Sequence, residues 1–275
     1  MVYIFTAMYC EAHAFIDFFH LKKDTSQTRF QVFYNEKEQI LLTVTGTGML
    51  AASVAVSSIC TAYGAKGEDF LVNLGCAAGR GEKNQIFLCH KISDTTTNQT
   101  FYPDVLYRHP FLETEIMTVA KPLKKVKKNE GNILYDMEAS AVYQAGIYFF
   151  GTHQMSFLKA VSDSGTDLSH VTPKEVEQIF CLNMESIVDY IKRLQKAGRA
   201  QKRVEPDGNL FGKLCRDLHC SKAMADTLFF YLRYCKLADI DVLSVISELY
   251  KTQRLPCKDK REGKVCFEEL KKRLL

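Results

Sequence analysis

The chain has 275 residues, of which 47% are hydrophobic and 25% charged. Those are ordinary values for a globular protein, and the length suffices to bury a core without disulfides or metal. The opening MVYIFTAMYCEAH has no basic segment and is interrupted by Glu11 and His13, and no later run reaches about 18 apolar residues. The expectation is a protein without signal peptide or membrane helix, soluble and cytoplasmic. The ten cysteines contain no Cys-x-x-Cys pair and read as reduced thiols, so neither a metal site nor a cofactor is expected. Residues 201–275 hold sixteen basic and eleven acidic residues, net +5, whereas the remainder is net −1. That asymmetry suggests different tasks for the two parts but is too mild to mark a nucleic-acid binder.

In chain order, short apolar and β-branched runs read as strands: 2–8, 31–35, 39–46, 69–75, 84–92, 115–121 and 154–163. Several are apolar at consecutive positions, the pattern of strands covered on both faces. Residues 49–64, rich in alanine and ending at Gly64, read as a helix, as do 137–150. Thr172-Pro173-Lys174-Glu175 combines an N-cap, a proline at the first helical position and a capping box, and opens a helix through about 197. Interleaved strands and helices give an α/β domain over 1–200, a mixed central sheet flanked by helices. The basic, glycine-containing stretch 196–209 reads as a linker. Beyond it, 207–275 reads as a small all-helical region, with helices at 210–220, 222–237, 241–253 and 267–275.

In an open α/β sheet ligands sit beyond the carboxyl ends of the strands. The polar and glycine residues expected there are Ala7-Met8-Tyr9-Cys10-Glu11, Thr45-Gly46-Thr47-Gly48, Gly75-Cys76-Ala77-Ala78-Gly79 and Ser162-Asp163-Ser164-Gly165, with Tyr135-Asp136-Met137-Glu138 opening a helix. Taken singly, an aspartate before Ser-Gly is most often a turn residue, and a glutamate opening a helix serves the helix dipole.

Taken together and in order, these segments resemble the purine nucleoside phosphorylase superfamily, and within it the methylthioadenosine/S-adenosylhomocysteine nucleosidases. TAMYCEA resembles their opening strand, TGTGMLAASVAV their Gly-x-Gly turn and alanine-rich helix, NLGCAAG their Asn-Thr-Gly-Ser-Ala-Gly-Gly turn, LYDMEASAV their Met-Glu-Ala segment, and KAVSDSGTD their Ile-Ser-Asp loop. The resemblance implies cleavage of the N-ribosidic bond of a purine nucleoside. Asp163 would protonate the leaving base, with Asp167 as the runner-up. Glu11 would position or deprotonate the attacking water. Glu138 would hold the ribose hydroxyls, with Met137 beside the sugar, and Gly46, Gly75, Cys76 and Ser162 would shape the site. An oxocarbenium-like transition state needs this combination of an acid at the leaving group and negative charge near the sugar. The resemblance also implies a homodimer, for which the sequence offers the apolar run 101–113.

The match is not complete. Where the family carries a Gly-Asp-x-Phe-like segment that stacks on the base, this chain has EIMTVAKPL, so Phe101, Phe111 or Tyr135 would have to supply a ring. Arg80 is the best-placed arginine for a phosphate, and Glu11 in the water-activating position would repel one. Hydrolysis is therefore favoured over phosphorolysis, with a catalytically inactive nucleoside-binding protein as a further alternative. Residues 207–275 lie outside the resemblance. They are expected to bind a protein partner or, less favoured, nucleic acid.

Overall fold

The computed structural model describes residues 1–26, 29–79, 82–122, 133–163, 171–200 and 205–274. Arg80, Ser164, Gly165 and Asp167 lie outside the described residues. The chain divides into two compact units, Met1–Gln201 and Lys202–Leu275.

In chain order the first unit consists of β1 (Val2–Thr6), α1 (Tyr9–Phe18), β2 (Lys22–Asp24), β3 (Gln31–Asn35), β4 (Ile40–Val44), α2 (Met49–Ala62), β5 (Phe70–Ala78), β6 (Ile86–Asp94), β7 (Thr100–Phe101), β8 (Leu112–Thr118), β9 (Leu134–Asp136), α3 (Ala139–Gly146), β10 (Met155–Asp163), α4 (Pro173–Leu182) and α5 (Met184–Ala200). The sheet is mixed, in the order β10-β6-β8-β9-β5-β1-β4-β3-β2. β1 runs parallel to β4 and β5, and β3 pairs antiparallel with β4. β10 also pairs with β5, so β5, β9, β8, β6 and β10 close on themselves as a barrel, from which β1, β4, β3 and β2 extend. Closure was not expected from the sequence, because it depends on the three-residue β9, whose pairing with β5 is the single rung Ala78–Tyr135.

The apolar runs read as strands because both faces are covered. In β1, Val2 and Ile4 join one core cluster with Phe15, Phe180 and Ile191, under α1, α4 and α5. Tyr3 and Phe5 join the other with Ile59 and Val142, under α2 and α3. Alternate side chains thus enter opposite cores, so none of the five residues can be polar and exposed. Among the described residues no helix is long and apolar enough to cross a membrane.

The structure departs from the sequence reading in several places. Residues 9–18, to which the sequence reading assigned no element, form α1. Tyr135-Asp136 belongs to β9 rather than opening a helix, and α3 begins at Ala139 with Glu138 as its N-cap residue. The helix expected from 172 to 197 is two, because Asn183 turns its side chain back to donate to the Ile179 carbonyl at 2.8 Å and also to the Asn84 carbonyl at 2.9 Å. The linker is shorter than 196–209, since α5 continues to Ala200. Gly198 is there for contact rather than flexibility: a Cβ on it would stand 2.5 Å from the Glu68 carbonyl oxygen.

The second unit comprises α6 (Gly208–Asp217), α7 (Lys222–Leu237), α8 (Val242–Lys251) and α9 (Lys260–Leu274). Asp207, Ser221 and Asp241 cap the first three by accepting from backbone N–H groups of the first turn. Asp259 does the same for α9, which therefore starts at Lys260, well before the 267 expected from its apolar face. Leu214, Leu228, Leu249, Phe267 and Leu270 form its core. At Gly263 the backbones touch: a Cβ would lie 1.9 Å from the Leu218 carbonyl oxygen. Gly263→Ala is expected to destabilise this unit by about 2–4 kcal/mol, since neither backbone can yield without repacking, as denaturant unfolding followed by circular dichroism would register.

Candidate active site

A cavity of about 300 Å³ opens where β1, β4, β5, β9 and β10 end. Of the residues singled out in the sequence, Glu11, Cys76, Met137, Glu138, Ser162 and Asp163 line it together. Gly46 and Gly75 stand behind the wall. Gly46 (φ +84°) and Gly48 (φ +94°) take a backbone conformation that other residues rarely adopt, and turn the chain from β4 into α2. That turn aims the Gly48 N–H at the Glu138 carboxylate, 2.7 Å away.

Glu11 sits in the first turn of α1 and is 2% exposed. Its Oε2 accepts from the Ala7 and Met8 N–H groups at 2.8 and 2.9 Å, and its Oε1 from the Cys76 N–H at 2.8 Å. Burial pushes its carboxyl above the usual range, while these backbone donors and the Lys159 ammonium pull it back. The result is a carboxylate held in one place and made more basic than a solvated one. Gly75 makes the room, because a Cβ there would lie 3.1 Å from Glu11 Oε1.

The residue that sequence reasoning missed is Lys159. It lies on β10 opposite Gly75 of β5, its side chain is 2% exposed, and its ammonium pairs with Asp136 at 2.8 Å. Burial alone would lower the lysine; Asp136, Glu138 and Glu11 outweigh burial and hold it above its ordinary value. The signal in the sequence is a lone lysine inside the apolar run FLKAV, in a strand covered on both faces. Asp136 also accepts from Thr118 Oγ1 and from the Ala139 N–H, both at 2.8 Å, which ties the pair to β8 and to the start of α3.

Glu138 is pushed up to about 7, first by burial and then by the charges of Asp136 and Glu11, against the Lys159 ammonium and the Gly48 N–H. Asp163 ends β10; Ser162 Oγ donates to its Oδ2 at 2.7 Å and the Gly79 N–H to its carbonyl at 2.9 Å. The thiol of Cys76 is raised well above its ordinary value by burial, so it lines the wall as a neutral group. Of the three candidate rings only Tyr135 reaches the cavity. Phe101 stacks on Tyr143, and Phe111 packs against His109 and Tyr190.

Glu138 binds its proton more tightly in the fold than in the unfolded chain. Its contribution to stability is therefore complete below the unfolded value of about 4.5 and is lost as the pH rises towards 7. Denaturant midpoints are expected to fall across that interval, and Glu138→Gln, which cannot ionise, should flatten the profile.

No protein-family model matches the chain, and no curated protein matches it. Solved structures do. A 5′-methylthioadenosine nucleosidase from Arabidopsis thaliana superposes with a TM-score of 0.58 at 15% identity, covering 70% of this chain and 95% of that one. A 5′-methylthioadenosine/S-adenosylhomocysteine nucleosidase from S. pneumoniae, bound to a transition-state inhibitor, gives 0.57 at 15% identity, with 70% and 99% covered. The corresponding enzyme from Colwellia psychrerythraea 34H, in complex with adenine, gives 0.55 at 17% identity, with 72% and 94% covered. Over some seven-tenths of its length the chain therefore has the fold of the methylthioadenosine/S-adenosylhomocysteine nucleosidases, as the order of its motifs led us to expect.

Proposed function

We propose that the chain is a nucleosidase that hydrolyses the N-ribosidic bond of a purine nucleoside of the methylthioadenosine or S-adenosylhomocysteine kind. The observation that carries this reading is the charge of the cavity wall. Among the described residues Glu11, Asp136, Glu138 and Asp163 converge on it, and the ammonium of Lys159 is already paired with Asp136 rather than available to an anion. Such a wall favours a sugar that becomes cationic in the transition state and disfavours an anionic nucleophile such as phosphate.

In this reading water attacks the anomeric carbon as the bond from that carbon to the base nitrogen breaks. Asp163 gives its proton to the departing base, so that a neutral base leaves. Glu11, fixed by three N–H groups and made more basic by burial, takes the proton of the attacking water, and exchange with solvent returns both carboxyls to their starting states. Glu138 accepts hydrogen bonds from the ribose hydroxyls. The products are the free base and the free sugar.

Purified protein incubated with methylthioadenosine, S-adenosylhomocysteine, adenosine and inosine is expected to release base without added phosphate. Release that requires phosphate would establish a phosphorylase, and binding without release a nucleoside-binding protein. Asp163→Asn should lower kcat by about 10²- to 10⁴-fold, the usual contribution of a positioned general acid, while leaving the melting curve in place.

We also propose that the protein is a homodimer through the outer faces of α2 and α3. These helices contain no charged residue, yet Leu50 is 78% exposed, and Tyr148, just beyond α3, is 86% exposed. A face without charge can meet its own copy across a two-fold axis with no like-charge repulsion. The run 101–113 is a weaker candidate, because Val105, Tyr107 and Phe111 pack against the chain's own core. Sedimentation at micromolar concentration is expected to show a dimer, and Leu50→Glu combined with Tyr148→Glu a monomer.

A further inference from the structure

In the second unit, α7 is apolar on two opposite faces. Leu228, Leu232 and Cys235 enter the core. Phe230, Tyr234 and Leu237 recur at intervals of four and three residues and so form one stripe, with Phe230 about 200° round the helix from Leu228. That stripe is uncovered: Phe230 is 64% exposed, Tyr234 49% and Leu237 61%. The Phe230 ring meets Phe229 edge to face, and Phe229 meets Phe211 of α6 in the same way, so the stripe is braced by its own unit.

Its charges and sizes say what it fits. Asp226 and Arg233 stand seven residues apart, about two turns, and therefore lie along the same edge of the stripe. Among the described residues neither has an ion-pair partner. Lys236, by contrast, is engaged, donating to the Glu205 carbonyl at 2.8 Å. A two-fold axis at the level of Phe230, perpendicular to the helix, reverses the order of residues along the stripe but keeps each edge on its own side. Two copies of α7 then lie antiparallel, with Phe230 facing Phe230. Asp226 is about 6 Å before that level and Arg233 about 4.5 Å after it, so each Asp226 arrives beside Arg233 of the other copy. Ala223 and Leu237, each about 10.5 Å from the axis, also meet, small against large. A parallel pairing would instead set Asp226 against Asp226 and Arg233 against Arg233.

We infer that the outer face of α7 is a self-complementary contact between two copies of this chain, antiparallel about Phe230 and flanked by two Asp226–Arg233 ion pairs. It is distinct from the α2–α3 face, which belongs to the first unit, and it does not depend on the nucleosidase reading. One helix face buries less than the roughly 1,200 Å² of a stable complex, so the contact is weak and forms at concentrations on the order of 100 μM.

The test uses the full chain carrying Leu50→Glu and Tyr148→Glu as the parent, so that the α2–α3 contact does not obscure the second one. Sedimentation velocity from about 5 to about 500 μM is expected to show monomer passing reversibly to dimer. Asp226→Arg sets two arginines together and Arg233→Asp two aspartates, and each is expected to raise the dissociation constant about tenfold or more. An equimolar mixture of these two variants should return to within about threefold of the parent, because only the mixed pair has opposite charges at both contacts. Phe230→Ala, which removes the central ring without altering charge, should also weaken association about tenfold or more. None of these side chains is buried, so the melting curves should stay in place. A parent that remains monomeric at the highest concentration overturns the inference. So does association that the single charge variants leave within about twofold, or that their mixture fails to restore. The mixing result decides even for a parent already dimeric at the lowest concentration, since a dimer held elsewhere is indifferent to these two charges.

Discussion

The pairing of Lys159 with Asp136 is the interaction around which the first unit is arranged. It places an ammonium and a carboxylate, both essentially without solvent, 2.8 Å apart on strands that flank β5. Such a pair is costly to desolvate and is kept only with good geometry and further hydrogen bonds, which Thr118 and the Ala139 N–H supply. Removing either partner would leave a buried charge uncompensated, at a cost of about 3–5 kcal/mol. Because one partner lies on β9 and the other on β10, the pair also favours closure of the barrel, for which β9 alone contributes little backbone pairing.

The same lysine sets the electrostatics of the cavity. Glu11 and Glu138 are buried carboxylates that desolvation pushes above the usual range, and the Lys159 ammonium, together with the backbone N–H donors, pulls both back. Gly75 is the spatial condition for this arrangement. It lies opposite Lys159 in register, and the volume that a side chain would occupy there is taken by the Glu11 carboxylate.

Each carboxylate is also fixed by backbone that has no other task at that position. The N–H groups of Ala7, Met8 and Cys76 converge on Glu11, and that of Gly48 on Glu138. Donors of this kind are part of the rigid ends of β1, β5 and α2 and need no reorganisation when charge moves in the cavity.

The sequence by itself determined which segments form the two-faced strands, because burial on both sides demands consecutive apolar residues. It determined the capped start of α4, because Thr172, Pro173 and Glu175 act within one turn. It also indicated which polar residues gather at the carboxyl edge, because short motifs at strand ends travel with the strands, and Glu11, Cys76, Met137, Glu138, Ser162 and Asp163 do line one cavity. Only the tertiary structure decided the barrel closure, the break at Asn183, the burial of Lys159 against Asp136 and the selection of Tyr135 over Phe101 and Phe111. Each of these depends on groups distant in sequence: Asn84 meets Asn183, and β9 meets β5 and lies across it from β10. A lysine in an apolar run or a tyrosine before an aspartate has no preferred partner until the strands on either side are in register, and register is a property of the assembled sheet.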